Sequence, residues 1–577
     1  PVFFADAQNN QITYAYDPWG DLWESVDSFG NLYKTEYDVT ARKSTSFFVA
    51  QENLADYRAN PSAGTYKQNV LENYLDQWGR TTEKRAYPEW PATTGYLSEI
   101  YGYDISGNQI NFKDAKRNLN EDGYTREYTF DALDRIICVK DALNQLTEVA
   151  YDVLGGITSI QMRENPGSAP VEIYHKAYDE TGRITTKTDP SGRQTTYEYN
   201  SLGLVDTSID RNDSTFTFGY DELNSLITDR VVKSDQTESS EYTYTRSSPL
   251  GIEQTQEYVN SIVAGTTLYG YNMAADVTRK DLQYTAGSYS SHLRNKYDSA
   301  GKLTSASIAT DTSGYLHTNY VYNNTRLWKV QTDGNAAPDG TGQAYAAYEY
   351  YPDGKVKKIT YPKLNDGSYL TTEYVYNKLN RLESVTNKKG AAVLSQYQYT
   401  YDANGNIETI NDGQETTVYG YDKLNRLQGI QSPSRNIQYT YDIRGNRETM
   451  QTGTPAVYTD SASYSYDLRD RLKSAVNGTN ATSISYRADG LRYSKSTGTQ
   501  TTQYHYNMAG RVIAESNTAG SFTAGYIWGP DRTLVRKDAG GEYYYLYNGH
   551  GDVVQLIDRN GNVVNSYEYD EWGNVLE

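Results

Sequence analysis

Aspartate is the residue best able to do chemistry in this chain, and it recurs at short intervals along all 577 residues. Recurrent carboxylates suit calcium binding, and a facing pair suits acid–base hydrolysis of a glycosidic bond. Asp552 and Asp558 are the pair that most invites a catalytic reading. The remaining aspartates each sit once in a short repeated motif, where a carboxylate serves to start a turn, and that local role accounts for them without catalysis. His175, His292, His317, His505 and His550 lie far apart with no H-E-x-x-H spacing, so buried or surface imidazoles are expected rather than ligands. Cys138, the single cysteine, excludes an internal disulfide and any zinc site built on cysteine. There is no G-x-x-x-x-G-K-[ST] loop, no G-x-S-x-G elbow and no Gly-rich strand-to-helix turn for a dinucleotide. No catalytic, cofactor-binding or metal-ligating residue is therefore assigned, no cofactor is expected, and the chain is read as not an enzyme.

Aromatic residues offer a different chemistry, which is stacking. Tyr occurs 59 times against 10 Phe, and Trp19, Trp78 and Trp572 each stand just before a glycine. Exposed rings of this kind are the residues to contact a sugar, although a ring folded over the neighbouring turn is the simpler expectation. The net charge of −19 argues against nucleic acid, because a polyanion is repelled. No run approaches the roughly 18 apolar residues of a membrane-spanning helix. The chain opens at Pro1, and it is expected to be a processed or recombinant fragment from which a leader could have been removed.

The motif that positions these residues reads Tyr-x-Tyr, Asp or Asn, two free residues, then Gly, Asn or Asp, often followed by Arg or Asn and an aliphatic. Tyr399-Thr-Tyr401-Asp402-Ala-Asn-Gly405-Asn406-Ile407 is followed by Tyr419-Gly-Tyr421-Asp422-Lys-Leu-Asn425-Arg426-Leu427 and by Tyr439-Thr-Tyr441-Asp442-Ile-Arg-Gly445-Asn446. About 22 copies, spaced by about 20 residues where cleanest, run from Tyr14 to Gly573. Alternate residues of a strand share a face, so each Tyr pair lays two rings side by side. Asp402 or Asn200 can bond its own backbone two residues on. The fourth turn position, held by Gly405, Gly445, Gly573, Asn224, Asn380, Asn425, Asp134 or Asp470, takes residues that tolerate a left-handed backbone. Alternation then resumes, giving hairpins, and Tyr401, Tyr421 and Tyr441 are expected to form a ladder along the sheet. Ala275 at the left-handed position and Arg326 after Asn323 predict looser or differently shaped turns.

Stacked hairpins on this scale predict an all-β ribbon roughly 200 Å across its strands, too long to stay open and flat. It must curl into a hollow shell or an extended solenoid, and as a closed shell its lumen is too wide for side chains to fill. Three stretches read as insertions or long loops: Val39 to Leu71, with a short helix within 50–58, Asp229 to Leu268, and Asp333 to Tyr345. Nothing else reads as helical.

The Tyr-x-Tyr-Asp-x-x-Gly-Asn/Arg signature resembles the YD repeats of the rearrangement-hotspot (RHS) family, which includes bacterial polymorphic toxins, insecticidal toxin-complex subunits and teneurin ectodomains. The run Tyr545-Leu-Tyr547-Asn548-Gly549-His550-Gly551-Asp552, continuing to Trp572-Gly573, is similar to the opening of the family's RHS-associated core. The resemblance implies a repeat shell over residues 1–544 and the start of the core, closing the shell, over 545–577. It implies a β-shell scaffold of a secreted or cell-surface bacterial toxin that encloses a C-terminal effector polypeptide. Neither the effector nor the family's self-cleavage segment is recognisable here. The alternative is an adhesin or carbohydrate-binding ectodomain, teneurin-like in kind.

Overall fold

A computed structural model describes residues 2–18, 20–91, 95–120, 123–246, 250–285, 288–332, 344–441, 447–452, 463–469, 471–477 and 480–569. Within them the chain forms 48 strands and two six-residue helices, α1 (Leu54–Ala59) and α2 (Ala115–Asn120). The fold is all β, as the motif predicts. Each strand pairs antiparallel with its neighbours in sequence, without a crossover, in a 37-stranded sheet over residues 2–452 and an 11-stranded sheet over residues 463–566.

One hairpin shows how the repeat builds this ribbon. At the turn Asp179–Gly182, one carboxylate oxygen of Asp179 accepts the backbone N–H groups of Thr181 (2.9 Å) and Arg183 (3.0 Å). Gly182 sits at φ +82°, the left-handed conformation that closes a three-residue loop. The other carboxylate oxygen holds Arg183 Nε at 2.7 Å. The guanidinium then lies 4.6 Å over the ring of Tyr199, in the next hairpin, and the Tyr199 hydroxyl donates 2.7 Å back to the carbonyl of Ile184, the residue after the arginine. Asp131, Arg135, Tyr151 and Ile136 repeat the closed circuit, as do Asp422, Arg426, Tyr441 and Leu427. Where the arginine is missing the tyrosine bond persists, as from Tyr220 to Val205 (2.8 Å), and Trp528 Nε1 supplies it to Val512 at 2.7 Å. The second Tyr also marks a bulge: Thr400 pairs with Thr409 but Tyr401 with Ile407, which adds local twist to every repeat.

Twist repeated in one sense curls the ribbon until it meets itself. Turns near the chain start touch turns 286 to 296 residues later: Gln8 bonds Asp298 (2.7 Å), Asn324 bonds the Ser28 carbonyl (3.4 Å), and the Lys116 N–H bonds Asn404 (2.9 Å). Arg326 covers the Phe29 ring at 4.0 Å and donates 2.6 Å to the Pro352 carbonyl. One turn of the spiral thus takes roughly 24 strands, which at about 4.8 Å each gives a width on the order of 35 Å. The exposed area is 30937 Å², against about 21,000 Å² for a compact protein of 65.1 kDa. A wall with two faces accounts for the excess.

The second sheet lies face-on against the first. From Arg469 on Asp229 to the Gly549 N–H on the Tyr399 hydroxyl, both sheets advance in the same chain direction. About eight strands of the second sheet cover an arc that takes about thirteen of the first, so the second sheet is the inner layer. The wall is thicker than the single layer expected, and it has a packed core of its own between the two sheets. Val330, Ile359, Leu370 and Val385 of the outer layer and Leu534, Val535, Leu546 and Ile557 of the inner one form a single buried cluster.

Other expectations fare unevenly. The helix expected within 50–58 is α1, whose Tyr57 packs with Leu32, Phe47, Val49 and Val70. Helix α2 went unread; Asp114 caps it by accepting the Arg117 N–H at 2.9 Å, and it presents Lys116 to the seam. The stretch Asp229 to Leu268 is no insertion but paired strands. Of the stretch Asp333 to Tyr345, residues 333–343 lie outside the described residues. Ala275 makes the ordinary turn at φ +66°, not a looser one, whereas Asn323 pairs directly with Arg326 and leaves a two-residue loop. The strand Gly541–Tyr547 runs through position 545, and the two sheets part between residues 452 and 463.

Two stability tests follow from this geometry. Tyr421 is half-buried and bonds the Ile407 carbonyl at 2.8 Å, so Tyr421→Phe should cost about 1 kcal/mol and Tyr421→Ala about 3 kcal/mol in chemical denaturation. Ala275→Gly should stabilise by about 1 kcal/mol, because it relieves a left-handed alanine.

Candidate functional site

The inner layer is held to the outer by bonds that cross between faces. Tyrosine hydroxyls of the outer sheet donate to inner-sheet carbonyls, Tyr289 to Tyr504 (3.0 Å) and Tyr361 to Tyr545 (2.8 Å), and Asn387 Nδ2 donates to the Tyr547 carbonyl (3.0 Å). Sheet carbonyls have a second lone pair once the ladder is made, and these side chains use it. Burial raises the Tyr361 hydroxyl to a pKa of about 12, so it stays a donor.

Charges line one end of this interlayer. Arg487, nearly fully buried, pairs with Asp489 at 2.5 Å, and Lys280 reaches the same carboxylate at 2.7 Å. Burial works against the Asp489 carboxylate, but the two cations overcome it and hold its pKa well below the ordinary range. His505 is wholly buried, stacked 5.1 Å from the Tyr289 ring with Nε2 2.9 Å from Ser516 Oγ. Burial first, and the Arg487 charge second, push its pKa down to about 3, so it is neutral. Glu257 is also buried, and its Oε2 has no hydrogen-bond partner. Burial raises its pKa to about 7, against the pull of Arg471, the Tyr284 hydroxyl and Arg469, with Asp467 adding a small push upward.

Two clefts open between the layers. One, of about 720 Å³, is lined by Leu316, Tyr320, Ile513, Phe522 and Trp528, a largely apolar surface with Lys537, Asp538 and His317 also in its lining. The other, of about 360 Å³, lies between the 238–264 strands and the start of the inner sheet, over Glu257 and Tyr284.

The sequence-marked residues sit elsewhere. Asp558 accepts the N–H groups of Asn560 and Asn562 (2.9 and 2.8 Å), and Asp552 accepts Asn548 Nδ2 (3.0 Å), so both serve turns. Trp78 is exposed, with the Arg80 guanidinium 4.6 Å over its ring; Trp19 and Trp572 lie outside the described residues. His550 pairs with Asp552, His292 bridges Asp281 (3.0 Å) and Asp311 (2.8 Å), and half-buried Cys138 has its thiol pKa raised by burial. Among the described residues no three His, Cys, Asp or Glu side chains gather as a metal site. Sequence reasoning gave no role to Glu257 or Arg487, whereas His505 is the buried imidazole it allowed for; the neighbours that matter, Arg471 for Glu257 and Tyr289 for Arg487 and His505, lie about 200 residues away, and the local traces are Glu257 and His505 at buried strand positions and Arg487 where the motif has its turn Asp.

The interlayer therefore responds to pH from both sides. Glu257, with its pKa raised from 4.5 to about 7, contributes stability that is full below pH 4.5 and lost as pH rises through 7, roughly 3 kcal/mol in all. His505, lowered from 6.5 to about 3, contributes stability that is full above pH 6.5 and lost as pH falls through 3, roughly 5 kcal/mol. Resistance of the inner layer to limited proteolysis should be highest and nearly level between about pH 4.5 and 6.5, where the two trends offset, and Glu257→Gln should remove the fall on the alkaline side.

Comparison with known proteins bears out the resemblance drawn from the motif. Residues 348–577 match the family model described as Teneurin YD-shell, and residues 178–215 match the one described as RHS Repeat. The tRNA3(Ser)-specific nuclease WapA of Bacillus spizizenii is 28% identical over 208 residues, which is 34% of this chain and 8% of that protein. The tRNA nuclease WapA of Bacillus subtilis (strain 168) is 27% identical over 208 residues, with the same coverage. The chain thus matches less than a tenth of the length of these relatives. Among solved structures, that of TcdB2-TccC3-Cdc42 aligns with 98% of this chain and 30% of its own, at 15% identity and a TM-score of 0.48.

Proposed function

We propose that this YD-repeat ribbon is the enclosing wall of a secreted or cell-surface bacterial toxin, and that it sequesters an effector polypeptide without catalysing a reaction. The observation that carries the reading is the spiral itself: a ribbon that meets its own edge after 286 to 296 residues, with an inner sheet bonded to its face, encloses space. The apolar cleft beside Leu316, Phe522 and Trp528 suits side chains of a polypeptide that is not fully folded. The net charge of −19 adds a weak, salt-screened attraction for a basic cargo.

The two curated relatives are named as tRNA nucleases. We infer that such activity resides outside the small fraction of each that this chain matches, and that the chain's own role is confinement. In this reading residues 1–544 are the repeat shell and residues 545–577 begin the RHS-associated core.

The test is protection. A nuclease domain fused after residue 577 should be digested by added protease at least tenfold more slowly than the same domain free in solution. Equal rates would refute enclosure by this chain.

A further inference from the structure

The spiral has two kinds of rim, and the seam stacks them in one order. Hairpin turns of the Tyr-x-Tyr-Asp motif, such as Asp104–Gly107 and Asp402–Gly405, form the motif rim, and the turns that follow the return strands form the opposite rim. In the seam the opposite rim of the first coil lies on the motif rim of the second: Glu89 pairs with Lys378, and the Lys116 N–H bonds Asn404 (2.9 Å). That order leaves the motif rim of the first coil uncovered. Among the described residues its bonds stay within a hairpin turn or reach the next hairpin, as from Arg80 to the Asp104 carbonyl (3.2 Å) and from Asn108 to Asp134 (2.7 Å).

This free rim is apolar at its tips. From the Asp104 turn to the Asp221 turn, every hairpin of the rim but one carries a large apolar side chain there: Ile105 (97% exposed), then Leu133, Leu154, Leu202 and Leu223 (63–86%), with Met273 (98%) farther on. The exception is the Asp179 turn, which has Glu180 and Thr181 in those places. Neighbouring tips stand two strands, about 10 Å, apart. The six side chains expose on the order of 1,000 Å², against the few hundred Å² of apolar patch usual on a soluble monomer. The leucines have counterparts in the seam: Leu379 and Leu424 hold the same motif position as Leu133 and Leu202, on the motif rim of the second coil where the two rims meet, and both are half-buried. A motif rim of this chain is thus a surface that the same ribbon already covers once.

We propose that a second copy of this chain covers the free rim, motif rim against motif rim, in a two-fold dimer. A helical edge coincides with its own image about a two-fold axis that crosses the spiral axis at right angles, so two such rims meet along their length as matched screw threads do, each surface contacting its own kind. The tips of both copies then bury roughly 2,000 Å² together, and a stable interface needs about 1,600 Å². The opposite rim of the second coil fits less well, because its turns carry Asp366, Asp412, Gln414 and Ser434 and would set polar groups against the leucines. The proposal rests on the spiral and its rims, not on an enclosed effector.

Sedimentation velocity of the whole chain over a hundredfold range of concentration tests it. The mass should approach twice the 65.1 kDa of one chain as concentration rises. Leu133→Glu, Leu202→Glu and Leu223→Glu combined should weaken the association at least a hundredfold, and because these tips are exposed the circular dichroism spectrum should not change. Leu202→Glu alone should weaken it at least tenfold, and it decides the matter if the triple variant does not fold. Val563→Glu with Val564→Glu, on the exposed last strand of the inner sheet, should leave the association unchanged. A single-chain mass throughout, association that the leucine variants leave intact, or equal loss in the valine variant would each overturn the proposal. A single-chain species that sediments with phosphatidylcholine vesicles, and loses them on Leu202→Glu, would overturn it in favour of a lipid surface on this rim.

Discussion

Everything in this structure depends on one hydrogen bond, from the second tyrosine of most repeats to the carbonyl that begins the previous return strand. Tyr151, Tyr199, Tyr401 and Tyr441 all make it, at 2.5 to 2.8 Å. A sheet of neutral backbone pairings fixes strand order but not curvature. The tyrosine bond ties each hairpin to the one before, and the arginine laid over that ring ties the same two hairpins through the turn aspartate. A phenylalanine in that place would fill the face and lose the tie, which explains why the chain uses 59 tyrosines and 10 phenylalanines. Because each tie is alike, the bulge beside it is repeated, the curvature accumulates, and the ribbon returns to its own edge.

The second layer follows from what one layer leaves exposed. A single curved sheet buries little, and much of the ribbon's surface stays half-buried tyrosine and threonine. Aliphatic residues are scarce, so they are concentrated where two sheets meet, around Ile359, Leu370, Leu534 and Ile557. There the interior packs like an ordinary β-sandwich. At the other end of the contact, buried charge replaces aliphatic packing, with Arg487, Asp489 and Lys280 paired and Glu257 left partly unsatisfied. That end is the less stable one by construction, and it is the end whose stability titrates.

Local chemistry was legible in the sequence, and distant chemistry was not. The turn residues, the left-handed positions at Gly405, Asn224, Asn380, Asn425 and Asp134, and the shared Tyr face all follow from spacing within about ten residues. The role of the motif arginine was within reach, since Asp and Arg stand four apart in copy after copy, as at Asp131 and Arg135, and the target tyrosine follows some fifteen residues later. Helix α2 was lost because its six residues carry no periodicity and, unlike α1, lie outside the stretches read as breaks in the repeat. The stretch 229–268 was misread because its strands are longer than the motif's and lack its turn signature. The inner layer left no signal at all: contacts such as Tyr361 with Tyr545 join positions 184 residues apart, and no short window of sequence records them.

Solution X-ray scattering from the whole chain tests the central claim most directly. A compact body of this length has a radius of gyration of about 25 Å. A two-layered spiral wall around open space predicts a clearly larger value, with a pair-distance distribution skewed to long separations as for a shell. A radius at or below about 25 Å with the symmetric distribution of a filled globule would contradict it.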